Sequence, residues 1–227
     1  MAGNGAAAGI PHGRHAVLRH HATPAIQRDF HLRPSGEANM TARHILVLGG
    51  ARSGKTSFAE RLAMRLGETP AYLATAEALD REMRDRVDTH RRQRAGRFET
   101  IEAPLEVTDA IIKASKIHDV VLVDCLTLWI TNLLHAGADV AGVIEELAVA
   151  LVQIKRTRVI LVSNEVGLGI VPDNALARSF RDLAGSAHQR LGEICEDVYF
   201  VAAGLPLVLK GSQPPALREV PEGRHEA

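Results

Sequence analysis

The segment GGARSGKT, Gly49 to Thr56, constrains this chain more than any other. It fits G-x-x-x-x-G-K-[ST], follows the apolar run HILVL (44–48) and precedes an amphipathic stretch that ends at Gly67. At average residue usage such a match arises by chance in roughly one chain per hundred of this length. The strand–loop–helix setting lowers that figure further. Glycines let the backbone curl so that successive N–H groups point inward at phosphate oxygens. The helix that follows adds its positive N-terminal end. Lys55 is expected to bridge the outer phosphates, and the Thr56 hydroxyl to ligate Mg²⁺. Gly49, Gly50, Ala51, Arg52, Ser53, Gly54, Lys55 and Thr56 are therefore all candidate nucleotide-binding positions.

Beyond Met40, short apolar runs alternate with longer amphipathic stretches. Strands are expected at HILVL (44–48), AYLAT (71–75), FETIE (98–102), DVVLVD (119–124), RVILVS (158–163), VYFVAAG (198–204) and PLVLK (206–210). Helices are expected over 56–66, 77–92, 104–116, 126–137, 140–155 and 175–194. Near-continuous Val/Ile/Leu strands separated by helices indicate a mostly parallel sheet with helices on both faces. The expected architecture is a single α/β domain of P-loop, RecA-like type over 43–210. In such sheets ligands bind at the carboxyl ends of the strands. The loops after Leu48, Leu73, Val123 and Val162 should therefore share one rim.

Charge excludes some partners. Lys plus Arg and Asp plus Glu number 27 each, which gives no support for a nucleic-acid or membrane-surface partner. No apolar run approaches the roughly 18–20 residues of a membrane span. Cys125 and Cys195 are far apart, lack metal-ligand spacing, and read as buried thiols of a reducing, cytoplasmic compartment. Residues 1–42 are rich in Gly, Ala, His and Arg, with only Asp29 and Glu37 acidic, and read as a disordered extension. Met40 is an alternative start. The six histidines up to His44 are irregularly spaced and read as tail composition, not a metal site. Residues 211–227 read as a frayed tail.

Two further elements carry chemistry. Asp124 ends DVVLVD at the rim, where an acid can hold Mg²⁺ directly or through water; the alternative is a helix N-cap. RVDTHRRQR (86–94) sets His90 among four arginines. Leu79, Met83, Val87 and His90 form one helical stripe, so His90 faces the protein. Taken alone, a histidine so placed is more often a core or capping residue. Nearby cations disfavour imidazolium, however, and a neutral ring nitrogen is a competent nucleophile toward phosphorus. The arginines would neutralise nucleotide phosphates and a departing pyrophosphate.

GGARSGKT, YLATA, RVDTHRRQR, IEAP, LVDCLT…TNLL and SNEVGLGIVPDNALARSFRDLAG occur in this order. Together they resemble the bifunctional adenosylcobinamide kinase/adenosylcobinamide-phosphate guanylyltransferase family of cobalamin biosynthesis, over about residues 45–210. The resemblance implies an enzyme that phosphorylates the aminopropanol hydroxyl of adenosylcobinamide using ATP or GTP. It then takes GMP from GTP onto His90, releasing pyrophosphate, and passes GMP to the corrinoid phosphate. Nucleotide contacts are implied through the P-loop, through Ala74, Thr75 and Ala76, through Arg91, Arg92, Gln93 and Arg94, and at Glu102 and Asp124. Also implied are Mg²⁺ at Thr56 and Asp124, no tightly bound cofactor, and a trimer with its nucleotide site near a subunit boundary. Asp124 stands where the family often has Glu, and His188 where Asn is common.

Asn164 and Glu165 follow RVILVS at the expected rim. Contact with substrate or water and simple turn formation, with Gly167 and Gly169 supplying flexible geometry, are equally supported. Arg178 and Arg181 could meet phosphate or form a solvated face. Trp129 and Leu133 read as core. Two other functions fit part of the chain. A small-molecule P-loop kinase without guanylyl transfer leaves RVDTHRRQR unexplained, and a nucleotide-dependent switch ATPase leaves the balanced charge unexplained.

Overall fold

Continuous burial of β1 (Ile45–Gly49), ILVLG, places it in the middle of the sheet. The computed structural model describes Met1, residues 42–76 and residues 96–215. All elements below belong to one unit, Asn39–Ala227. After β1 come α1 (Lys55–Leu66), β2 (Pro70–Ala74), β3 (Glu99–Glu102), α2 (Val107–Ala114) and β4 (Val120–Asp124). Then follow α3 (Leu126–His135), α4 (Val140–Gln153), β5 (Arg158–Asn164), α5 (Ala175–Ile194), β6 (Asp197–Ala202) and β7 (Leu205–Lys210). The helix expected over 77–92, which carries His90, lies outside the described residues, as do residues 2–41 and 216–227.

The seven strands form one sheet in the order β3-β2-β4-β5-β1-β6-β7. All neighbours are parallel except β6 and β7. Alternate side chains divide between two cores. Leu46, Leu48, Val121, Val123, Val159 and Leu161 pack with α2, α3, α4 and α5. Ile45, Val47, Val120, Leu122, Ile160 and Val162 pack against Phe58, Ala59, Leu62 and Ala63 of α1. Because both faces are covered, these strands read as unbroken apolar runs rather than alternating ones. Trp129 is fully buried and donates its indole N–H to the Leu105 carbonyl at 2.7 Å, so it is core, as expected.

β6 and β7 meet through Ala203 and Gly204, both with positive φ (51° and 79°). Positive φ at both positions is what a two-residue type I′ hairpin requires. Gly204 N–H donates to Ser53 O at 2.8 Å, so this turn braces the P-loop. Pro206 lies on the edge strand, where a missing donor is tolerated. Bonding continues into the C-terminal segment: Ser212 N–H donates to Asp197 and the Tyr199 hydroxyl to Ser212 O.

His44 does not belong to a polar tail. It is buried, with Nε2 2.9 Å from the Leu151 carbonyl and the Val159 N–H donating to Nδ1 at 3.2 Å. These partners fix the neutral Nε2–H tautomer, and burial pushes the imidazole pKa below its usual 6.5. Between the folded value and 6.5 the unfolded chain binds more protons, so stability is lost as pH falls below 6.5 and is unaffected above it. Asp119, whose carboxylate accepts the Glu68 and Thr69 N–H groups, is shifted below 3.8 and loses its contribution only in stronger acid. The melting temperature should therefore fall between pH 7 and pH 5, by roughly 2–4 °C per kcal/mol. A His44→Gln protein should show a flatter dependence in the same thermal scan, and an equal slope in both proteins would contradict the account.

Candidate active site

Strand register builds the rim. Gly49 pairs with Asn164, Ala74 with both Asp124 and Glu102, and Asp124 with Val162. The ends of β1, β2, β3, β4 and β5 thus lie along one edge, as expected; Asp124 and Asn164 stand beside the P-loop, whereas Glu102 is at the far end of that edge, with three strands between it and β1. Gly49 cannot be replaced without movement, because a Cβ there would lie 2.5 Å from Val201 O and 2.6 Å from Ser53 Oγ. Arg52 (φ 56°) and Gly54 (φ 90°) turn the loop through left-handed geometry.

Several features of the loop suit an anion. Gly54 caps α1 with no side-chain hydrogen bond, and no acidic residue stands in the first turn. Among the described residues, the first N–H groups of the helix therefore have no side-chain acceptor from the cap or first turn. Ser53 Oγ is buried without a hydrogen-bond partner among the described residues. Lys55 is 9% exposed, and among the described residues its ammonium reaches only Gly50 O, at 3.4 Å. A nearly buried cation without a carboxylate partner is costly unless a ligand neutralises it.

Asp124 sits beside the loop. Its Oδ2 accepts the Tyr72 hydroxyl at 2.7 Å and the Thr56 hydroxyl at 3.2 Å. The helix N-cap alternative is not what the carboxylate does: Cys125 caps α3, with no side-chain bond. Adjacent Thr and Asp oxygens are hard donors that fit a magnesium ion completed by phosphate and water. Among the described residues no cluster of three or more His, Cys, Asp or Glu forms a dedicated metal cage. The shorter side chain of Asp reaches Thr56 from this position, so Glu is not needed for that contact.

Not every candidate is turned toward a ligand. Thr75 is fully buried; its hydroxyl accepts the Cys125 N–H at 2.8 Å and donates to Cys125 O at 2.9 Å. Its carbonyl accepts from Asn132 at 2.8 Å. This side chain ties β2 to the residue after β4. Glu102 is exposed at the far edge strand. His90, Arg91, Arg92, Gln93 and Arg94 lie outside the described residues. Arg178 donates to the Pro172 and Asp173 carbonyls and Arg181 pairs with Asp182, so both are engaged within α5 and the loop before it. Gly167 and Gly169 do not have positive φ, so the loop after β5 does not depend on glycine for handedness. Both cysteines are free and buried; burial raises the Cys125 pKa and pushes Cys195 up to about 12, which makes both inert.

Beside the P-loop opens a cleft of about 350 Å³ lined by Ala51, Thr127, Leu128, Asn164, Glu165 and Phe180, among others. Asn164 donates to the Thr127 hydroxyl at 3.0 Å, and Glu165 accepts the Gly167 N–H. The turn-forming expectation for this pair is met by these bonds, and both residues also line the cleft. Behind Glu165, His188 is buried between it and Ser163. Sequence reasoning did not find that grouping, because its three members join only through the contact of α5 with β5.

The sequence matches the family described as cobinamide kinase / cobinamide phosphate guanyltransferase over residues 45–209. The chain belongs to that family. It is 46% identical over 168 residues to the bifunctional adenosylcobalamin biosynthesis protein CobP of Pseudomonas aeruginosa, covering 73% of this chain and 96% of the relative. It is 37% identical over 182 residues to the bifunctional adenosylcobalamin biosynthesis protein CobU of Salmonella typhimurium, covering 73% and 99%. Among solved structures, a KaiC-like protein of Pyrococcus horikoshii aligns with a TM-score of 0.43 at 16% identity, covering 70% of this chain and 71% of that one. The span matched by the cobinamide kinase / cobinamide phosphate guanyltransferase family contains the P-loop, His90, Glu102, Asp124, Glu165 and His188. Among the described residues no helix is long and apolar enough to cross a membrane.

Proposed function

We propose that this chain phosphorylates adenosylcobinamide and then guanylylates the product, giving adenosylcobinamide-GDP. Membership of the family over nearly all of the α/β domain carries this reading. In the first step the aminopropanol hydroxyl attacks the γ-phosphorus of ATP or GTP and the nucleoside diphosphate leaves. In the second, a neutral nitrogen of His90 attacks the α-phosphorus of GTP and pyrophosphate leaves. A phosphate oxygen of the corrinoid then displaces the histidine, freeing it for another cycle. The P-loop N–H groups and Lys55 would neutralise the nucleotide's outer phosphates, with Arg91, Arg92 and Arg94 serving the pyrophosphate. Mg²⁺ would be held at Thr56 and Asp124 and supply charge neutralisation at the phosphates. We place the enzyme in the cytoplasm, as a trimer whose nucleotide site lies near a subunit boundary.

Incubation of the protein with adenosylcobinamide, GTP and Mg²⁺, followed by mass analysis of the corrinoids, tests substrate and both steps together. The expected products are the phosphate ester and then the GDP adduct. An ester that never proceeds would leave a kinase alone. No modified corrinoid with either nucleotide would overturn the proposal.

A further inference from the structure

Among the described residues, carboxylates at the ends of β3, β4 and β5 are Glu102, Asp124 and Glu165. Glu102 has β2, β4 and β5 between it and the P-loop strand. Asp124 already accepts from Tyr72 and Thr56. Glu165 differs in its place beside the loop, and its partners lie behind it and not in the loop's helix. It follows β5, the direct neighbour of β1, and its N–H donates to Gly49 O at 3.0 Å. Its side chain borders the cleft beside Ala51, which has polar walls at Thr127, Thr131 and Asn164. A second substrate must meet the outer phosphate of a bound nucleotide from beside the loop, and this cleft is an opening there.

The carboxylate is also held. Oε1 accepts the Gly167 N–H, and Oε2 faces His188 Nδ1 at 3.5 Å. His188 Nε2 lies 2.7 Å from Ser163 Oγ, and Ser163 is fully buried. Burial holds the imidazole pKa below 6.5 against the pull of Glu165. In the tautomer in which the Ser163 hydroxyl donates to Nε2, the imidazole proton is on Nδ1, facing Glu165 Oε2. Nδ1 makes no hydrogen bond among the described residues, and the Glu165 carboxylate faces it at 3.5 Å. A glutamate kept only to close the turn would need Oε1 alone. The buried Ser–His pair behind Oε2 is additional, and a contact of 3.5 Å without substrate is compatible with a hydrogen bond that tightens in the reacting complex.

We propose that Glu165 is the base of the phosphorylation step and that His188, anchored on Ser163, is its positioning residue. The acceptor O–H bond breaks and its proton passes to the Glu165 carboxylate as oxygen bonds to the γ-phosphorus. The bond from that phosphorus to the bridging oxygen breaks, and the nucleoside diphosphate leaves. This rests on the kinase reading above.

The test uses the full chain with adenosylcobinamide, ATP and Mg²⁺, following phosphorylated corrinoid by mass spectrometry. Glu165→Gln should lower kcat about 10²-fold or more, the usual worth of a general base, with the KM for ATP within threefold. Equilibrium ATP binding reports that the variant is folded. His188→Ala should lower kcat about tenfold at unchanged KM for ATP, and His188→Asn, whose amide can still donate to Oε2, should restore most of it. A purely structural role would give no such split and no rescue. Glu165→Gln retaining kcat within threefold, or His188→Asn behaving like His188→Ala, overturns the inference. A parent protein that forms no phosphorylated corrinoid instead overturns the substrate reading, and the role of Glu165 falls with it.

Discussion

A His90→Ala protein mixed with radiolabelled GTP and Mg²⁺ will carry no acid-labile GMP, whereas the parent chain will. The P–N bond of a phosphoramidate hydrolyses in acid and survives in base, which separates it from a serine or threonine ester. The expectation follows from the setting of the residue. Arg86, Arg91, Arg92 and Arg94 surround His90 in sequence, and on the proposed function such neighbours would disfavour its cation and leave the ring available as a nucleophile. Removal of a nucleophile costs on the order of 10³-fold or more in rate. Formation of the GDP adduct should therefore stop while the phosphate ester still appears. Label persisting in the variant would remove His90 from the mechanism.

Lys55→Ala should depress both steps by about 10²–10³-fold in kcat/KM, the scale for losing one fixed donor to developing phosphate charge. It should do so with little loss of stability. Lys55 is nearly buried and, among the described residues, reaches only Gly50 O at 3.4 Å. Deleting a poorly compensated buried cation removes a desolvation penalty along with a weak contact, so a change within about 1 kcal/mol is expected. Lys55→Arg should not restore activity, because a planar guanidinium does not fit the space of a compact ammonium. Steady-state kinetics beside thermal unfolding checks both halves. A variant that unfolds markedly earlier, or retains kcat/KM within tenfold, would contradict this assignment.

The P-loop was legible because its signal is local: eight consecutive residues and the apolar run before them define loop, helix start and lysine together. Asp124 was legible as the last residue of an apolar strand, and the common rim followed from the rule that parallel strands present their carboxyl ends on one side. Tyr72 was not legible. In AYLAT it reads as one more strand residue, and only the pairing of β2 with β4 brings its hydroxyl to Asp124. Thr75 was a candidate ligand position only through the family resemblance, and its hydroxyl ties β2 to the residue after β4. His44 was grouped with the histidines of the N-terminal extension because composition does not register that α4 and β5 close around it.

The sequence by itself determined which segments are strands, which loop can cradle phosphate and which carboxylate ends β4, because each depends on neighbours within about ten residues. Tertiary structure alone decided that β5 lies beside β1, that the β6–β7 turn braces Ser53, and that His188 backs Glu165. Hydrophobic periodicity sets which face a side chain takes, whereas strand order is set by crossovers that skip over strands. The chemistry of this rim depends on both.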